Sequence, residues 1–164
     1  MNRKKFIEEY TRLIQLAIAL ADNAHNYARQ SRVDEKSLHG VAHNKSLQDN
    51  QMREDFSPSS APIQQGLLSL EGEIEDIADE YFKNGLRFAV DGTAPRLIDE
   101  IMTNRTAHEK DKYTRLLKTV QKRAVLGIQA GESFRVFYHI LKSIPPLTEK
   151  EENKIDNLIL YGEE

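Results

Sequence analysis

Cysteine is missing from all 164 residues, which excludes a disulfide framework, a thiolate metal site and a thiol nucleophile, and leaves the redox compartment open. Aromatic residues make up only 7% and apolar residues 39%, against a usual apolar share of about 45–50%. A chain of this length can still bury a core of its own. The low apolar share fits long helices with one buried stripe better than a many-layered globule. No run approaches the roughly 18–20 apolar residues of a membrane-spanning helix, so integral membrane insertion is not expected. The basic start, Met1 to Lys5, is followed at once by Glu8 and Glu9, and the apolar stretch 13–21 is broken by Gln15 and closed by Asp22. A signal peptide has a different shape, and a soluble chain is expected. Charge of one sign is also lacking. With 26 acidic and 23 basic side chains the net charge is −3, and the basic residues are scattered, so no nucleic-acid partner is expected.

Phosphate loops and strands are likewise missing. The eight glycines stand singly, and Gly66-Leu67-Leu68-Ser69-Leu70-Glu71 matches neither a P-loop nor a nucleophile elbow. No alternating stretch is long enough to argue for a sheet.

What the chain does have is helical periodicity. Phe6, Tyr10, Leu13, Ala17, Leu20, Ala24 and Tyr27 recur at gaps of four and three, which predicts an amphipathic helix over residues 1–30. Residues 31–62 have few large apolar residues, no period and a Ser/Pro cluster at their end, the composition of a mobile linker or insertion. A second helix is predicted from Ile63 through Leu67, Leu70, Ile74, Ile77 and Tyr81, with Asn84-Gly85 as a kink or an end. Asp91-Gly92-Thr93-Ala94-Pro95 reads as a turn opening a third helix, with Thr93 able to accept a hydrogen bond from a free backbone N–H and Pro95 in the first turn. That third segment carries an apolar stripe from Leu97 to Met102 and again from Tyr113 to Ile128. The polar interval 103–112 between them either projects into water as one long helix or divides it in two. Gly131 supplies a stop, Ser133 can cap a short helix ended by Pro145-Pro146, and Thr148 with Glu151 forms a capping box for a last helix. The expectation is an all-α protein, an elongated bundle of long amphipathic helices, with a helical domain over 63–164.

Chemistry is harder to find. Of the five histidines only His39 and His43 are close in sequence. They fall in the presumptive linker, where solvated loop residues are the bland reading and a surface metal or hydrolytic site the sharp one. No catalytic residue, metal ligand or cofactor is assigned. Glu71, Glu73, Glu75, Asp76, Asp79 and Glu80 line the second helix away from its apolar stripe. Such a face is solvated first and a docking surface second.

Three segments nevertheless stand out as a set: 65–71 (Gln-Gly-Leu-Leu-Ser-Leu-Glu), 82–93 (Phe-Lys-Asn-Gly-Leu-Arg-Phe-Ala-Val-Asp-Gly-Thr), and 128–133 (Ile-Gln-Ala-Gly-Glu-Ser) with Ile144-Pro145-Pro146. In type and order they resemble landmarks of the MotA family of flagellar-motor stator subunits, over roughly residues 65–146. The end of the first helix, 20–30, resembles the stretch that precedes the first landmark. The family's membrane helices have no counterpart in this sequence. The resemblance implies a cytoplasmic, non-enzymatic protein at the flagellar motor, peripheral to the inner membrane, that acts as scaffold or regulator through contacts with rotor or stator components and through self-association. It also implies an acidic partner contact at Glu71, supported by Glu75. The family's basic contact position falls on Ile63, and Arg29 takes its place if the insertion loops out. Gly66, Asp91, Gly92, Thr93 and Gly131 are then structural motif residues. A generic helical interaction module unrelated to motility is the other reading the same stripes allow.

Overall fold

A computed structural model describes residues 1–39 and 61–162. Among the described residues eight α-helices follow in order: α1 (Arg3–His39), α2 (Ala61–Leu68), α3 (Glu71–Glu75), α4 (Glu80–Val90), α5 (Pro95–Ala107), α6 (Lys112–Ala130), α7 (Phe134–Ser143) and α8 (Glu149–Asp156), with a π-helical turn at Asn157–Tyr161. No strand occurs among the described residues, so the all-α bundle expected from periodicity stands.

α1 and α6 are the two helices on which α2, α4, α5 and α7 pack, while α3 packs on α4. α1 lies against α2, α6 and α7, and α6 collects α4 and α5 on its remaining faces. Along α1, Phe6, Tyr10, Leu13, Ala17, Leu20 and Ala24 are buried as their spacing predicts. The stripe then rotates: Ala28 is buried while Tyr27 is 49% exposed. Tyr10, Ile14, Phe82, Ile98 and Phe137 are almost wholly enclosed. Each contributes roughly 1.5–3 kcal/mol of burial, so this interior, not intrinsic helix propensity, holds the short helices in place.

Four sequence expectations are corrected. α1 runs to His39 instead of ending near residue 30, because the chain carries no glycine or proline from Arg3 until Gly40 and nothing local stops it. The rest of the predicted linker, 40–60, lies outside the described residues, as does His43. The second helix is three. Ser69 donates its hydroxyl to the Gly66 carbonyl at 2.7 Å as α2 ends, and Asp79 starts α4 by accepting the Phe82 N–H at 2.9 Å. Asn84-Gly85 neither kinks nor ends anything; Gly85 lies buried inside α4, where an added Cβ would fall 2.7 Å from Met102 Cε. Thr93 does not cap α5: the N-cap is Ala94, with no side-chain bond, and Pro95 occupies the first turn.

The polar interval 103–112 resolves into a division. α5 ends at Ala107, and Asp111 caps α6 by accepting the Thr114 N–H at 2.7 Å. Ser133 holds the N-cap position of α7 without a hydroxyl bond to the helix. The Thr148–Glu151 capping box forms as its spacing predicts.

Candidate functional site

The three landmark segments are far apart in sequence and meet at one junction. At its centre α2 crosses α1 so closely that a Cβ on Gly66 would lie 2.3 Å from the backbone oxygen of Ala24. Only glycine fits there. α4 ends in a left-handed Gly92, φ 74°, with the Thr93 N–H donating to Phe88 O at 2.9 Å. α6 ends the same way, with Gly131 at φ 64° and the Glu132 N–H donating to Gly127 O at 3.1 Å. Both are C-terminal stops in which the left-handed residue lets the next N–H reach back five residues.

Side-chain amides then tie these ends to neighbouring helices. Gln64 on α2 donates to the Val90 carbonyl at 3.0 Å, and Gln129 on α6 donates to the Thr93 carbonyl at 2.7 Å. The turn 91–93 is therefore held from two sides. His25 on α1 donates from Nε2 to the Gly131 carbonyl at 3.0 Å, and Ile63 packs beside the same glycine. Gln129 Oε1 is buried without a partner among the described residues. Such an acceptor is normally satisfied by water, so the junction is polar inside.

Beside the junction lies a cleft of about 330 Å³ lined by Glu71, Ile74, Glu75, Arg87, Val90 and Asp91. It brings together three of the candidate residues. Glu71 stands exposed in the first turn of α3, and Asp91 is exposed at the C-cap of α4. Glu75 is different. Arg87 grips its carboxylate with Nη2 at 2.6 and 2.9 Å and Nε at 3.2 Å, and Lys83 Nζ lies 3.2 Å away. The Arg87 and Lys83 bonds lower the Glu75 pKa, and the same carboxylate raises that of Arg87. Solvent screens so exposed a pair, so it orients the α3–α4 corner more than it stabilises the fold. A bidentate grip also leaves Glu75 little free capacity for a partner, which makes Glu71 and Asp91 the available carboxylates of the cleft.

Arg29 is not part of this surface. α1 meets α3 through Asn23, whose amide donates to both oxygens of Glu73 at 3.1 and 3.0 Å. Arg29 sits six residues farther along, roughly 9 Å at 1.5 Å per residue, and no Arg29–Glu71 ion pair forms among the described residues. The basic place at Ile63 is filled by an apolar contact to Gly131.

Among the described residues no group of three His, Cys, Asp or Glu side chains is placed to hold a metal ion, and no helix is long and apolar enough to cross a membrane. Sequence reasoning missed the junction-forming roles of His25, Gln64 and Gln129. Gln129 lies within a landmark, and its position one residue after buried Ile128 is the one signal that could have exposed it.

No family model matches the chain, and no solved structure does. Curated proteins do. Motility protein A of Bacillus subtilis (strain 168) is 40% identical over 67 residues, 41% of this chain and 22% of that protein. Motility protein A of Treponema phagedenis is 38% identical over 62 residues, 38% of this chain and 24% of the relative. A shorter match, 53% over 34 residues, links 21% of the chain to 13% of Motility protein A of Borreliella burgdorferi. The matched stretches span about a quarter or less of the relatives' length. Over about two fifths of its residues, the chain is similar to Motility protein A of several bacteria.

Proposed function

We propose that the chain is a non-enzymatic component of, or accessory to, the flagellar motor, acting as scaffold or regulator by binding a rotor or stator protein through the Glu71 face. The observation that carries this reading is the convergence of all three landmark segments on one junction beside which Glu71 stands exposed. The similarity to motility proteins supports the setting. The cleft offers the exposed carboxylates of Glu71 and Asp91 without a paired nucleophile and base, which supports contact over catalysis.

A charged rim of this kind sets on-rate and register more than affinity. The expected partner surface therefore carries a cation opposite Glu71 and Asp91. Deletion of the gene and affinity recovery of the tagged protein test the proposal together. Altered swimming, with motor proteins recovered by the wild type and reduced by Glu71→Lys, is the expected result; normal swimming with no motor protein recovered overturns it.

A further inference from the structure

A second surface, lined by other residues of the α3 region than the Glu71 cleft, combines an apolar floor with an acidic rim. A groove of about 580 Å³ runs between α1, the 76–79 link and α6. Its floor is made by Leu13, Ile77, Phe82 and Leu117, each at most 8% exposed. Leu16 rises at its edge, 37% exposed. Four carboxylates border it, those of Glu9, Glu73, Asp76 and Asp79, against one cation, Arg12. Two are already engaged: Asp79 caps α4 and Glu73 takes the Asn23 amide. Glu9 has only a 3.6 Å contact with Lys5, and Asp76 forms no side-chain hydrogen bond or ion pair among the described residues. These two are the charges the rim has to offer.

The independent sign of a ligand is Gln121. This amide side chain is 3% exposed and lines the groove. Its amide makes no hydrogen bond among the described residues. Its amide atoms reach the groove, so water or an occupant of the groove supplies their hydrogen bonds. An occupant with its own N–H or C=O groups would pair with it.

We propose that this groove docks a basic amphipathic helix of a partner protein, with one or two apolar side chains seated on Leu13, Phe82 and Leu117, and lysines or arginines over Glu9 and Asp76. An amphipathic helix lays its apolar face into such grooves using anchors three and four residues apart, and the rim favours cations by its sign. The surface does not depend on the motor reading, which rests on Glu71.

The probe is a fluorescent 16-residue Leu/Lys/Arg amphipathic helix, titrated by anisotropy into the full chain beside an acidic counterpart with glutamate in place of each cation. Glu9→Lys with Asp76→Lys is expected to weaken binding at least tenfold, and so is Leu16→Glu. Glu100→Lys, an exposed reversal on α5, is expected to leave it unchanged. In the wild type, which sidesteps any folding defect, the Gln121 side-chain amide resonance is expected to shift on titration. Equal binding of the acidic peptide, equal weakening by the Glu100 reversal, or a stationary Gln121 resonance would overturn the proposal. So would self-association abolished by Glu9→Lys with Asp76→Lys, which would assign the groove to a second copy of the chain.

Discussion

Glycines of the same residue type do different work here, and substitution separates them. At Gly66 an added methyl meets a backbone carbonyl at 2.3 Å, which can yield only if α1 and α2 move apart. Gly66→Ala is expected to destabilise by about 2–3 kcal/mol, the cost of overpacking. At Gly85 the colliding atoms are the flexible end of Met102 at 2.7 and 2.8 Å and a Val125 methyl at 2.9 Å. Gly85→Ala is expected to cost about 1 kcal/mol, because methionine can re-seat itself. Urea denaturation of both variants checks the order, and equal costs would contradict the close crossing. Gly66 was legible as a structural residue from the sequence, but its neighbour Ala24 was not, since nothing local announces which backbone will cross it. Gly92 and Gly131 were better marked, because a glycine after a helical stripe stops the helix by its own left-handed backbone. Gln129 marks the limit of such reading. Its bond to Thr93 and its buried oxygen depend on two segments 36 residues apart.

At the scale of the helix, caps were the most readable signals when the capping side chain acts on its own chain. Thr148 and Glu151 form their box as spacing predicts. The same Glu151 also receives Arg3, at 2.9 Å from Nε and 2.6 Å from Nη2, a pairing over 148 residues that no local pattern shows. That guanidinium, with the Thr148 backbone bond, holds the Glu151 carboxyl down at about 2. A carboxylate with a depressed folded-state pKa adds stability above its ordinary value, near 4.3, and that stability is lost as pH falls toward 2. Tethering of α8 to the start of α1 is therefore expected to weaken between pH 4.5 and 2, followed as the acid dependence of the unfolding midpoint. Glu151→Gln should flatten that dependence, and an unchanged slope would contradict the pairing. The division of the second predicted helix escaped the sequence for a different reason. Its apolar spacing through Leu70, Ile74 and Ile77 is unbroken, and the buried positions match it, yet Asp79 intervenes as a cap. Asp79→Ala is expected to cost about 1 kcal/mol and to loosen α4, read by hydrogen exchange at Phe82.

For the molecule as a whole, helical periodicity sufficed for the all-α class because each stripe reports burial directly. It did not give the packing order around α1 and α6, which depends on contacts between stripes. The candidate site was half readable. Glu71 and the turn 91–93 were named from resemblance, and the structure places them on and beside one junction. Arg29 lies apart from them, and Glu75 is occupied by Arg87. Charge reversal at Glu75 is thus expected to act mainly by freeing Arg87, with a smaller effect on partner recovery than Glu71→Lys, compared in parallel affinity recoveries. The proposed contact is between the Glu71 face and a motor protein in the cell. A photo-crosslinking residue placed at position 71, with position 100 as control, tests it most directly. Crosslinks from 71 to a rotor or stator protein and none from 100 are expected; crosslinks from 71 that never contain a motor protein would rule the contact out.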